Sequence, residues 1–292
     1  MNLEVSRPTK LWFRLSQARE RVFNRRRQTL FLIVLCLLCL GIILAGSGQA
    51  AIANQTNLSG RNQAPSWSHP FGTDWLGRDM LIRTWSGLSL SLRVGFLAAL
   101  FSSIIGLVVG LVAATLGGKV DAFFSWWIDV FLSLPHMVVL ILLAFVSGGG
   151  LTGVVISVAL THWPSLARVI RAEVYQVRSA DYVRLSAKLG RSPFWIARHH
   201  VLPHVFPQFL VGLILLFPHA ILHEAGITFI GIGLSPHQPA IGIILAESMR
   251  HLSTGYWWLA ALPGAALLAM VKVFDILGEN VRALLDPRTA QE

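Results

Sequence analysis

LSLRVGFLAALFSSIIGLVVGLVAATL, residues 90–116, is a run of 27 residues with one charge, Arg93. A helix needs about 20 mainly apolar residues to cross a bilayer, so this stretch predicts a transmembrane helix. Working outward, Gly117-Gly-Lys-Val-Asp121 ends it, and a further apolar run covers residues 122–146 with Pro135 inside. Gly148-Gly-Gly150 breaks the chain before a run at 151–169; others follow at 206–234, interrupted by Pro218, and at 256–277. Upstream, residues 30–51 form the first span. Ala45–Ala50 also fits a signal-peptide cleavage site, but the apolar run before it is longer than such peptides carry, so an uncleaved helix is favoured. The predicted fold is all-α, a polytopic membrane protein of six transmembrane helices. Its parts are a basic arm (1–29), the first helix (30–51), an extracytoplasmic segment (52–89), a five-helix core (90–280) and a tail (281–292).

Composition agrees. Of 292 residues, 54% are hydrophobic and 13% charged, and mean hydropathy is +0.62. Soluble domains carry about 25% charged residues. The net charge of +10 would suggest nucleic acid in a soluble protein, but the apolar content excludes that partner and excludes disorder. The charge reads instead as topology. With the N-terminus in the cytoplasm, six spans put both termini inside; 19 of the 24 basic residues then lie inside, and five (Arg61, Arg78, Arg83, Arg93 and Arg250) outside. That is the positive-inside pattern. Trp67, Trp75 and Trp85 suit the membrane boundary. Cys36 and Cys39 are the only cysteines; inside an apolar run they read as small hydrophobes. No nucleotide-binding loop is present, since Gly118-Lys119 is followed by Val120 and lacks the spaced glycine. Neither HExxH nor G-x-S-x-G occurs, so no catalytic residue, cofactor or metal site is assigned.

Residues 168–204 carry seven basic side chains between two spans. Ser179-Ala-Asp181 starts a helix, with Asp181 suited to its N-terminal dipole. Tyr182, Leu185 and Leu189 share one face, and Gly190 ends the helix. A second short helix over 194–199 leads to Leu202-Pro203. An amphipathic helix at this place either docks in another protein's groove or lies on anionic lipid; periodicity does not choose.

The segment His69-Pro-Phe-Gly-Thr-Asp-Trp-Leu-Gly-Arg-Asp79 reads as an ordered turn. Asp74 and Asp79 are helix caps, Gly72 and Gly77 permit tight turns, and Arg78 pairs with a carboxylate. Within the spans, ionisable groups are functional candidates. His219 and His223 share a face at i, i+4, beside Glu224; such a pair holds a metal or bonds neighbouring helices as packing glue, the plainer reading. His136 and His162 read alike. Lys272, Asp275 and Glu279 suggest an ion-pair ladder.

Three blocks carry a resemblance. Tyr182–Gly190, followed by Leu202-Pro203, resembles the cytoplasmic Glu-Ala-Ala loop of ABC importer permeases. Arg184, Leu185 and Ser186 stand at its acidic and small positions, a departure from the pattern. His69–Asp79, with Arg83, Gly87 and Ser91-Leu92 following, resembles the signature after the first span in the dipeptide/oligopeptide/nickel permease family, although Leu88 stands where many members have Arg. Glu224-Ala-Gly-Ile-Thr-Phe-Ile-Gly-Ile-Gly233 is similar to that family's E-x-x-x-S-F-L-G-L-G, and the His before Glu224 resembles its nickel or metal-chelate branch.

The resemblance implies a permease subunit of the type I ABC importer kind in a bacterial inner membrane, forming with a second homologous permease the path for dipeptides, oligopeptides or nickel. Two ATP-binding subunits would use ATP, and an extracytoplasmic substrate-binding protein would deliver cargo. It places Asp181, Tyr182, Arg184, Leu185, Ser186, Leu189, Gly190, Leu202 and Pro203 in a coupling loop at 170–204. His69, Gly72, Asp74, Gly77, Arg78 and Asp79 fall in an outer signature block, and His219, His223 and Glu224 are candidates for the path. The competing class is an ion-coupled secondary transporter relaying protons through His223 and Glu224, which would need no coupling helix.

Overall fold

The computed structural model describes residues 30, 33, 34, 37, 40–49 and 51–285. Among these, all regular structure is helical apart from a lone bridge between Thr73 and Asp79. The basic arm and both cysteines lie outside the described residues, as does the tail beyond 285. Helix α1 is described continuously over residues 40–48, residues 30, 33, 34 and 37 before it being helical as well, and its backbone is held by α2 (Met80–Leu116). Ser86 and Ser89 donate to the Gly46 and Ile43 carbonyls at 3.2 and 3.0 Å.

Helix α2 starts ten residues before the predicted boundary at 90. Asp79 caps it, its carboxylate accepting from the Leu81 and Ile82 N–H groups at 2.9 and 3.0 Å, so polar residues read as loop are helical. The run at 122–146 is two helices, α3 (Gly118–Ser133) and α4 (His136–Val146), bent by 99°. Pro135 forces the break, because the residue before a proline is driven out of the helical region; Leu134 is extended, at φ −80° and ψ 145°.

Helix α5 (Gly150–Ser179) runs ten residues beyond the predicted end at 169. Arg168 and Arg171, read as loop charges, pair with Asp129 and Asp121 of α3 at 2.8 and 2.5 Å, and Arg178 donates to the Ala114 carbonyl at the end of α2. After α6 (Asp181–Lys188), α7 (Pro193–Ile196) and a π-helical turn over Ala197–Val201, helix α8 (Leu202–Ile230) passes through Pro207 and Pro218 without interruption. Membrane helices tolerate such prolines where neighbours satisfy the freed carbonyls. Helix α9 (Ile241–Met249), absent from the sequence reading, is too short to cross; α10 (Trp258–Leu285) closes the bundle. Among the described residues, four helices are long and apolar enough to cross, and the α3–α4 pair makes a fifth crossing if counted as one.

Helix α5 lies at the centre, 67% buried over its most apolar window against 39% for α2 and 28% for α10. It touches α2 through small residues. A Cβ at Gly110 would lie 2.7 Å from the Ala167 carbonyl oxygen and 2.9 Å from Ile170 Cβ; one at Gly106 would meet the Trp163 carbonyl oxygen at 3.0 Å. Gly106 and Gly110 are a GxxxG pair, the spacing that brings membrane helices backbone to backbone. Gly110→Val should therefore cost about 1–3 kcal/mol, the usual range for overpacking, and lower the detergent unfolding midpoint. Gly226→Ala, where the nearest atom outside the helix backbone is 3.8 Å away, should leave the midpoint within error.

Candidate functional site

Three polar assemblies stand out against this apolar frame. The first lies where α2 begins. The Asp74 carboxylate is fully buried: Oδ1 accepts from the Leu76 and Arg78 backbone N–H groups, both at 2.9 Å, and Oδ2 accepts from Arg78 Nε at 2.6 Å and Arg83 Nη1 at 2.9 Å. The same two guanidiniums reach Glu247 of α9, Arg83 at 3.0 Å and Arg78 at 3.3 Å. Two cations and two carboxylates thus clamp the loop, α2 and α9 together, and Arg78 also lies over the Trp75 ring at 5.2 Å. Buried ions persist only when each finds such partners. Arg83 and Glu247, outside the candidate set, complete the clamp. Arg83 was visible as a residue downstream of the block; Glu247, 164 positions from it, carried no local signal.

Two glycines let the loop close. Gly77 has φ +72°, and a Cβ there would fall 1.7 Å from the Asn57 carbonyl oxygen. Gly72, at φ +71°, is pressed against the Trp258 ring, 2.8 Å from where a Cβ would sit. His69 Nδ1 donates to Asp79 Oδ2 at 2.6 Å, fixing the carboxylate that caps α2. Asp79 caps α2 as expected, whereas Asp74 serves the loop and the two arginines in place of a helix start.

The second assembly is at the other end of the bundle, where α2 and α5 both finish. In α6 only Val183 is buried, packed with Val174, Val177, Ile196, Val201 and Val205. Tyr182, Leu185 and Leu189 point away from the bundle, 51%, 58% and 74% exposed. Asp181 occupies the first turn without side-chain capping, and Arg184 is exposed. The Ser186 hydroxyl donates to the Tyr182 carbonyl at 3.0 Å and pairs with His200 Nε2 at 3.0 Å. Gly190 closes the helix with its N–H to the Ala187 carbonyl at 3.0 Å. Ser192 caps α7, and Leu202 and Pro203 open α8. The result is an anchored helix presenting an exposed apolar face, with the Tyr182 ring edge-on to His200 at its start.

The third assembly lies within the spans. Glu224 is buried; its Oε1 accepts from Thr228 Oγ1 at 3.1 Å, which in turn accepts from the Leu234 N–H at 3.2 Å. The carboxyl therefore ties α8 to the turn that follows it. His219 Nδ1 lies 3.0 Å from the Leu215 carbonyl of its own helix, and the ring is not among those that gather around His223. His223 meets His136 of α4 and His162 of α5, with ring centroids 4.8 and 4.9 Å away. Of the suggested ladder on α10, Lys272 and Asp275 approach only to 3.8 Å, the lysine largely solvated and the aspartate partly buried, a contact worth little.

An apolar helical bundle with several membrane-length helices defines a multi-pass membrane protein. The family described as "Binding-protein-dependent transport system inner membrane component" matches residues 106–291, and the chain belongs to it: it is an ABC importer permease. The dipeptide transport system permease protein DppC of Bacillus subtilis (strain 168) is 33% identical over 256 residues, covering 88% of this chain and 80% of that protein. The oligopeptide transport system permease protein OppC of the same organism is 31% identical, with coverage of 88% and 84%. A putative peptide transport system permease protein of Brucella suis biovar 1 (strain 1330) is 32% identical, covering 93% and 91%. Among solved structures, an inward-facing form of the MetNI methionine ABC transporter superposes with TM-score 0.59 at 18% identity, over 71% of this chain and 98% of that one. That likeness supports the all-helical type I permease fold.

Proposed function

We propose that this chain is one of two permease subunits of an ATP-driven peptide importer. With a homologous permease it forms the path for dipeptides or oligopeptides, receives cargo from an extracytoplasmic binding protein and is driven by two ATP-binding subunits below. Both termini are cytoplasmic in a bacterial inner membrane, and the chain itself catalyses nothing. The observation that carries the reading is α6. Its rigid base and exposed Tyr182–Leu185–Leu189 face are what a chain without a nucleotide site needs to receive motion from an ATPase, and exposed apolar patches mark contact sites. The relatives named for peptide transport supply the cargo class. A secondary transporter has no use for such a helix.

Uptake of labelled di- and oligopeptides into inside-in vesicles carrying the full transporter tests this. Accumulation that requires internal ATP and the binding protein is expected. Accumulation driven by a proton or sodium gradient with no nucleotide would overturn it.

A further inference from the structure

His136, His162 and His223 come from three different helices, α4, α5 and α8, and each offers a ring nitrogen within 4.8 Å of the other two. His162 is only 9% exposed. Its Nδ1 lies 3.0 Å from both the Val158 carbonyl, which only accepts, and the Thr161 hydroxyl, which can do either, so the tautomer that satisfies all three has the proton on Nδ1. That leaves Nε2 as a bare lone pair, and it has no hydrogen-bond partner among the described residues. The Nε2 of His136 is likewise buried without one. Neither Nε2 is satisfied by the other or by any described residue, and a shared electrophile would satisfy both. The backbone carbonyl on His162 Nδ1 is the outer-shell contact that fixes a metal-binding imidazole.

Depth adds to this. His162 is twelve residues from the start of α5, His136 ten from the end of α4, and His223 seven from the end of α8. At 1.5 Å per residue these are about 18, 15 and 10 Å along the helices from those ends, in a bundle that includes the membrane-length α5 and α8. A polar cluster there needs a strong reason to exist.

We infer that His136, His162 and His223 form a binding site for a borderline divalent transition-metal ion inside the membrane domain. Three neutral imidazoles suit zinc, nickel, copper or cobalt and disfavour magnesium or calcium, which take oxygen ligands. A tetrahedral ion with bonds of about 2.0–2.1 Å needs ligand atoms roughly 3.3 Å apart, so small ring rotations complete the site. A fourth position stays open on the side where His136 and His223 are partly exposed, leaving room for a water or a donor of the cargo. The site does not depend on peptide being the cargo, since metal binding is read without transport.

The test is a Co²⁺ titration of the full chain with its accompanying subunits in nanodiscs, purified through a histidine-free tag, following the visible absorption of the bound ion. One Co²⁺ per chain in a low-symmetry site, displaced by Zn²⁺, is expected. His136→Ala, His162→Ala and His223→Ala should each weaken it at least about tenfold, the scale set by losing even outer-shell contacts, while His219→Ala leaves it unchanged. Absence of stoichiometric binding, or binding that survives the triple variant, would overturn the site. Should the variants fail to assemble, X-ray absorption on the cobalt-loaded wild type decides: three imidazole ligands support it and two or fewer refute it.

Discussion

Asp74→Ala should be the most damaging single change in the clamp at the start of α2. It removes two charge-assisted bonds from Arg78 and Arg83 and the acceptor of two backbone N–H groups at once. Arg83, 2% exposed, would be left with Glu247 alone and still excluded from water. Removing one partner of a buried pair costs about 3–5 kcal/mol, since the remaining charge stays desolvated. That is a large share of a typical stability of about 5–15 kcal/mol. The expected result is a sharply lower unfolding midpoint and poor membrane yield. Arg83→Met in the Asp74→Ala background should recover part of the loss, because the stranded cation is gone. A double-mutant cycle checks this: near-additive losses would show that the two groups do not depend on each other. Glu247→Gln should be milder, as Glu247 is one quarter exposed.

Leu185→Asp should have the opposite profile. Leu185 is 58% exposed and outside the Val183 core, so surface substitution should leave the unfolding midpoint within about 0.5 kcal/mol. Under the proposed function it places a charge in the centre of a docking face, where such groups are strongly disfavoured. ATP-dependent uptake should fall to background while the permease remains folded and inserted. Val183→Asp is the contrast: it strikes the buried root of α6 and should reduce stability and uptake together. Retained uptake in Leu185→Asp would remove α6 from the coupling path.

Much of this was legible in the sequence, for identifiable reasons. Apolar runs of membrane length announced the spans, and the i, i+3, i+7 spacing of Tyr182, Leu185 and Leu189 announced the α6 face. Local chemistry announced the Asp79 cap. The misses arose where a long-range partner overrides a local signal. Arg83 and Thr84 look like loop residues until Asp74 and Glu247 neutralise the arginine and the Thr84 hydroxyl bonds the Met80 carbonyl; Arg168 and Arg171 do so until Asp129 and Asp121 of α3 are seen beside them. Pro135 and Pro218 carry the same local warning, yet one breaks a span and the other sits within a continuous helix. Helical spacing pairs His219 with His223, but side chains 26 to 87 positions apart decide the cluster, and only the packing of α4, α5 and α8 brings His136, His162 and His223 together.

Under the proposed function, α6 is where an ATP-binding subunit meets this chain. Cysteine placed at Leu185, in a background lacking Cys36 and Cys39, should cross-link to a co-expressed ATP-binding subunit in the assembled transporter, with a yield that changes when nucleotide binds. No cross-link from position 185, in a complex that still imports peptide with ATP, would contradict it.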